Sequence, residues 1–217
     1  MVISGHGLRL SGKRIGIDFD NTLVSYDEVF LETARKRRLV AEEFSGRKQA
    51  VRDAIRLLPD GETAWQRLQG YVYGTGMSSA QIFAGVVDFL RRACAEGHEV
   101  FIVSHKTEYG HYDPDQVSLR DAARKWMEDQ GLFDEATGLS RENVFFESTR
   151  SEKLARIGRL GCSHFVDDLE EVLTDPDFPS RVKRILFSRD AGSFPDHDVS
   201  VCHDWNAVTK VLLDDNA

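Results

Sequence analysis

The stretch IGIDFDNTLV, residues 15–24, places two carboxylates, Asp18 and Asp20, two positions apart at the end of an apolar run. Like charges at a buried strand end repel each other and lose hydration, so both need a use. Residues i and i+2 of an extended chain project to the same side, and the pair can therefore address one ligand. One aspartate can attack as a nucleophile, because carboxylates form acyl-phosphate intermediates. The other can pass a proton to or from the leaving oxygen.

Other polar residues sit at comparable places. Ser104 closes the run HEVFIVS, Asp167 and Asp168 close SHFVDD, and Lys153 opens the helical pattern SEKLARIGRLG. In an open parallel sheet, ligands bind beyond the carboxyl ends of the strands, so four carboxylates, one hydroxyl and one ammonium would share one crevice. Clustered carboxylates raise each other's pKa unless a cation lies among them. Oxygen donors from aspartates, water and a phosphate suit Mg²⁺.

The elements that must carry these residues are legible from periodicity. Five short apolar runs, at 14–19, 98–104, 143–148, 163–168 and 184–188, read as buried strands, with a weaker sixth at 199–203. Helical patterns at 79–97, 118–133, 151–161 and 205–213 alternate with them, which predicts an α/β fold with a Rossmann-like parallel sheet flanked by helices. Residues 25–78 break that rhythm with helical stretches at 27–40, 45–58 and 60–74, and read as a small α-helical insert after the first strand. The catalytic core is then 1–24 and 79–217. Trp65, Tyr71 and Tyr73 are expected to form the insert's own small core.

Composition narrows the function classes. A net charge of -8 and the lack of a long basic run argue against a nucleic-acid partner; ARKRRLV at 34–40 is bracketed by Glu32, Glu42 and Glu43 and reads as a solvated helix face. No run approaches the ~20 apolar residues of a membrane span, and the segment MVISGHGLRLSGKR lacks the long apolar core of a secretory signal. Cys94, Cys162 and Cys202 form no C-x-x-C and read as three reduced thiols, so a cytoplasmic setting is expected.

With these residues in view, the chain resembles the haloacid dehalogenase superfamily. D-F-D-N-T-L at 18–23, the run ending in Ser104, Lys153, and F-V-D-D at 165–168 are similar to its four motifs, in order, across nearly the whole chain. The resemblance implies Asp18 as nucleophile and Asp20 as general acid/base. It implies Mg²⁺ held by the Asp18 side chain, the Asp20 carbonyl and Asp168, with Asp167 a second acidic contact or a water-mediated one. Ser104 would hydrogen-bond the transferring phosphoryl group and Lys153 would neutralise charge on it and on Asp18. Many members place another acid four residues after the metal-binding aspartate, where this chain has Val172; Glu171 lies one position earlier.

Phosphatases of the superfamily usually carry Asp at the position of Asp20, whereas its ion-pumping ATPases and dehalogenases do not. The resemblance thus implies a Mg²⁺-dependent phosphatase with a small helical cap, acting on a small phosphorylated metabolite such as a sugar phosphate or a nucleoside monophosphate. A phosphotransferase, a polynucleotide-end phosphatase and a non-catalytic binding module are the competing readings. Candidate substrate contacts are Asn21 and Thr22 after the acid pair, with His105 and Lys106 after Ser104. The loop HKTEYGHYDPDQ, 105–116, adds Tyr109, His111 and Tyr112. Lys106 is also the competitor of Lys153 for its role.

Overall fold

Strand β1 (Arg14–Ile17) is an apolar run with neighbours on both sides, and it organises the sheet. The strands β4 (Glu99–His105), β5 (Val144–Glu147), β6 (His164–Asp167), β7 (Lys183–Phe187) and β8 (Val199–Cys202) join it in the order β5-β4-β1-β6-β7-β8. All pairings in this sheet are parallel. The computed structural model describes residues 12–113, 115–190 and 198–214. The expectation for the N-terminal segment falls largely on residues outside that set.

Alternation along the strands decides which face each side chain covers. Ile15, Ile17, Ile102 and Val166 enter one apolar cluster, while Phe101, Val103 and Phe165 enter a second on the opposite face. A sheet buried on both faces needs helices on both sides. These are α4 (Val86–Ala95), α5 (Leu119–Asp129), α6 (Arg150–Arg159), the single turn α7 (Glu170–Leu173) and α8 (Trp205–Thr209). No described helix is long and apolar enough to cross a membrane. The three cysteines are unpaired, and burial pushes the Cys162 and Cys202 thiols up to about 11.

Between β1 and β4 lies the insert. A two-stranded antiparallel pair, β2 (Val24–Ser25) and β3 (Gln81–Ile82), forms its neck, and α1 (Asp27–Lys36), α2 (Lys48–Arg56) and α3 (Gly61–Tyr73) form its body. Trp65 stacks on Phe30 with ring centroids 4.9 Å apart. Tyr71, expected inside, is exposed under Arg37. The insert's apolar residues are continuous with the cluster on one face of the main sheet.

One predicted helix starts late. The pattern at 79–97 yields a helix only from Val86, because Gly85 adopts a φ of 92° that other residues resist and Gln81–Ile82 pairs with β2 instead. Its first seven residues have helical spacing, but the neck strand competes for their backbone and wins.

His164, at the start of β6, generates a stability prediction. Burial, with Lys13, Lys183 and His98 nearby, lowers its pKa from 6.5 to about 4. The fold therefore holds the neutral ring, and protonation favours the unfolded chain. The contribution is complete above pH 6.5 and is lost as pH falls toward 4. Between those limits wild type should lose up to about 3 kcal/mol more than His164→Gln in urea unfolding. Parallel pH profiles for the two proteins would refute this.

Candidate active site

The end of β1 lies where the chain switches sides of the sheet, having laid β4 and β5 to one side before β6, β7 and β8 on the other. Ile17 is in register with Ile102 and Val166, so Asp18, Val103 and Asp167 come next at the same level. The Asp18 amide donates to Val166 O at 2.8 Å, extending the pairing by one residue. The chain then turns, with Leu23 N donating to Phe19 O at 3.0 Å and Asn21 at a φ of 57° that asparagine tolerates.

Lys153 enters from the first turn of α6. A capping box, in which Thr149 and Glu152 satisfy each other's backbone amides, fixes where that helix starts. Lys153 Nζ donates to Asp18 Oδ1 and to Asp167 Oδ2, both at 2.6 Å, and all three groups are withdrawn from solvent. Burial alone would lower the ammonium's pKa, but Asp167 and Asp18 outweigh it and hold the group charged. Asp167 Oδ1 also accepts the Leu169 amide at 3.0 Å, which ties β6 to the turn after it.

One ammonium does not balance the acids. Burial lifts Asp18 to about 7, with Asp167 and Asp20 adding to the shift against the pull of Lys153. Burial also drives Asp168 well above the usual carboxylate range, with Asp18 and Asp167 adding to it. Ligand oxygens of Asp18, Asp167 and Asp168 lie within 4.8 Å of one another. An all-oxygen set with excess negative charge fits a hard divalent cation.

The Asp20 carboxylate points elsewhere. Its Oδ1 accepts Tyr26 OH at 2.5 Å and Lys106 Nζ at 2.9 Å. Lys106 is 4% exposed, so its charge is directed at Asp20. Burial, with the Asp20 carboxylate beside it, raises the Tyr26 phenol well above its ordinary range, so Tyr26 remains a donor. The two lysines that competed for one role thus hold different acids, Lys153 the Asp18–Asp167 pair and Lys106 Asp20.

A cavity of about 340 Å³ opens above these groups, lined by Asp18, Asp20, Asn21, Ser104, His105, Lys153 and Asp168 among others. Thr22 and Lys106 are not in its wall. The Thr22 side chain is fully enclosed, while its carbonyl accepts Trp205 Nε1 at 2.9 Å. His105 Nε2 lies 3.0 Å from Ser148 O. Tyr109, His111 and Tyr112 do not line this cavity. Their loop instead rests on α3, where a Cβ on Gly110 would come within 2.5 Å of Gly70 Cα, so the approach requires glycine.

The insert supplies wall residues that the motifs could not indicate: Lys48 from α2, with Gln69 and Tyr73 from α3. Burial opposes the charge on Lys48, yet Tyr73, Asp20 and Asp168 raise its pKa. Tyr73 serves both as cavity wall and as part of the insert's aromatic packing, 4.8 Å from Tyr26. Arg150 and Glu171 pair at the rim.

Among solved structures, a haloacid dehalogenase-like hydrolase from Streptococcus pneumoniae superposes with a TM-score of 0.60 at 13% identity, covering 93% of this chain and 98% of its own. The fold is that of the haloacid dehalogenase-like hydrolases. A hydrolase of this group from Deinococcus radiodurans, with bound phosphate and sodium, matches at 0.52 and 14% identity over 94% and 96%. A predicted phosphoglycolate phosphatase from Haemophilus somnus matches at 0.52 and 16% over 94% and 99%. Two dehalogenase structures match at a TM-score of 0.52, with 12% and 13% identity. No family model matches the sequence, and no curated protein matches it either.

The Asp20 contacts carry a stability prediction. Tyr26→Phe and Lys106→Met should each destabilise by about 1–3 kcal/mol, because each leaves a poorly hydrated carboxylate short of a donor. Both act through Asp20, so the double mutant should deviate from additivity by at least about 0.5 kcal/mol. Additive effects in chemical denaturation would show that the two donors are independent.

Proposed function

We propose that the protein is a Mg²⁺-dependent phosphatase of the haloacid dehalogenase superfamily that hydrolyses a small phosphorylated metabolite, such as a sugar phosphate or a nucleoside monophosphate. The observation that carries this reading is the pair of carboxylates at one cavity with separate supports. Asp18 is held by Lys153 among metal-compatible acids, and Asp20 is held by Lys106 and Tyr26. A departing halide needs no proton, whereas a departing alkoxide does. A positioned second acid therefore favours cleavage of an ester oxygen over a carbon–halogen bond.

In the forward step an Asp18 oxygen forms a bond to phosphorus as the phosphorus–oxygen ester bond breaks, and Asp20 gives its proton to the departing oxygen. Asp20, now a base, takes a proton from water as that water attacks the aspartyl-phosphate. Free Asp18 and inorganic phosphate result. Ser104 donates to a phosphoryl oxygen, and Lys153 offsets negative charge on Asp18. Asp18, Asp167, Asp168 and the Asp20 carbonyl would hold Mg²⁺, whose chemistry is to neutralise the phosphoryl oxygens and favour ionised Asp18. Asn21 and His105 contact the substrate from the cavity wall. A net charge of -8 supports a small substrate over a nucleic acid, and unpaired thiols accord with a cytoplasmic setting.

Mg²⁺ at about 100 times its dissociation constant should stabilise the protein by about 2.7 kcal/mol against unfolding, a gain that Asp168→Asn should largely remove. EDTA should abolish hydrolysis of an aryl phosphate and Mg²⁺ should restore it. Asp18→Asn should abolish turnover of aryl and alkyl phosphates alike. Asp20→Asn should lose about 10²–10⁴-fold on alkyl phosphates and less on an aryl phosphate, whose leaving group needs little protonation. Full turnover in EDTA, or by Asp18→Asn, would exclude the mechanism.

A further inference from the structure

Beside the acid-lined cavity lies a wider cleft of about 470 Å³. The two are contiguous, since Asn21, Lys48, Gln69, Asp168 and Leu169 line both. Its charged wall comprises Arg47, Lys48, Arg52, Arg56 and Arg189 against Asp27, Asp168 and Asp190, a net of plus two in a chain of net charge -8.

Three of these cations form one stripe. Lys48, Arg52 and Arg56 follow at i, i+4 and i+8 along α2, starting where Lys48 meets Tyr73 in the acid-lined cavity. Their placement is unfavourable for the helix by itself. Like charges at i, i+4 repel, and the first turn carries no acid to complement the positive end of the helix. A merely solvated face would interleave signs along the stripe, as the exposed Lys125–Asp129 pair of α5 does.

The arginines have partners, but replaceable ones. Arg47 meets Asp190 at 2.9 Å, Arg52 meets its neighbour Asp53 at 2.9 Å, Arg56 meets Glu62 at 2.7 Å and Arg189 meets Asp27 at 2.6 Å. Apart from Asp27, these carboxylates are more than half exposed. Exposed pairs contribute little stability, so an incoming anion can displace such carboxylates easily. The guanidinium fork suits a carboxylate or a phosphate equally.

We propose that the α2 stripe is a second anion subsite, so that the substrate carries, beyond the phosphoryl group at Asp18, a distal carboxylate or phosphate bound by Arg52 and Arg56 with Arg47 beside them. This rests on the phosphatase reading above and refines its substrate class. At a rise of 1.5 Å per residue, Arg52 and Arg56 lie roughly 6 and 12 Å along the helix from Lys48, the span of a sugar-sized scaffold rather than a two-carbon one. Lys48, between the two sites, addresses the end of the molecule nearer the transferred group.

Three probes share a six-carbon scaffold and differ at its far end: glucose 6-phosphate, 6-phosphogluconate with a carboxylate, and glucose 1,6-bisphosphate with a phosphate. Wild type should show kcat/KM at least about tenfold higher for one or both probes with a second anionic group than for glucose 6-phosphate, and Arg52→Gln/Arg56→Gln should remove most of that ratio. The probe that gains more identifies the distal group. Equal kcat/KM for all three in wild type, or a uniform loss in the variant, overturns the subsite. Single Arg52→Gln, which spares the Arg56–Glu62 pair, gives the same comparison if the double variant fails to fold. Thermal shifts with the same probes keep the two readings separable. If no ester is hydrolysed, the phosphatase reading falls, and the subsite stands or falls on whether the probes with a second anionic group raise Tm more than glucose 6-phosphate in wild type only.

Discussion

A single buried ammonium holds the architecture of the site together. Lys153 Nζ bridges the carboxylates of Asp18 and Asp167, and thereby joins the end of β1, the end of β6 and the first turn of α6. Removing one partner from such a buried cluster leaves an uncompensated charge, which is why all three elements are held to one geometry. The cluster remains short of positive charge, because Asp168 lies beside it and Asp18 is lifted to about 7. The same deficit that strains the protein by itself suits the cluster to a cation.

A division between two acids follows from two separate lysine contacts. Asp18 and Asp20 are two positions apart, yet Lys153 faces one and Lys106 the other. Lys106 comes from the residue after β4, so the sheet's strand order brings it beside the β1 turn. Tyr26, from the start of the insert, completes the grip on Asp20. The insert therefore shapes the surroundings of Asp20 as well as lining the cavity. Its apolar residues share one cluster with the main sheet, and Gly110 and Gly70 allow the 105–116 loop to lie directly on α3.

That arrangement explains which expectations needed correction. The loop's Tyr109, His111 and Tyr112 are suited chemically to contact a ligand, but the close Gly110–Gly70 approach directs the loop to α3. Tyr73, expected only to pack inside the insert, both packs there and faces the cavity, since an aromatic ring can bury its body and present its hydroxyl. Lys48 had no signal of its own. Only the stripe it begins with Arg52 and Arg56 distinguishes it from a surface lysine, and the meaning of a stripe depends on what it faces.

Read by itself, the sequence determined the strand-helix alternation, the parallel sheet, the helical insert and the six polar residues at strand and helix ends, because each follows from short-range patterns: apolar periodicity, strand-end polarity and cap chemistry. The weak sixth strand at 199–203 belongs to the same class, and it forms as β8. What only the tertiary structure decided was pairing across distance: that Lys106 serves Asp20, that Tyr26 joins it, that Gln81–Ile82 leaves a helical pattern to close the neck, and that α2 turns three cations toward a cleft. The reason is physical. Local patterns specify which side chains are charged or apolar, but a buried charge takes its role from the partners that close packing brings within about 3 Å, and those come from segments far apart in the chain.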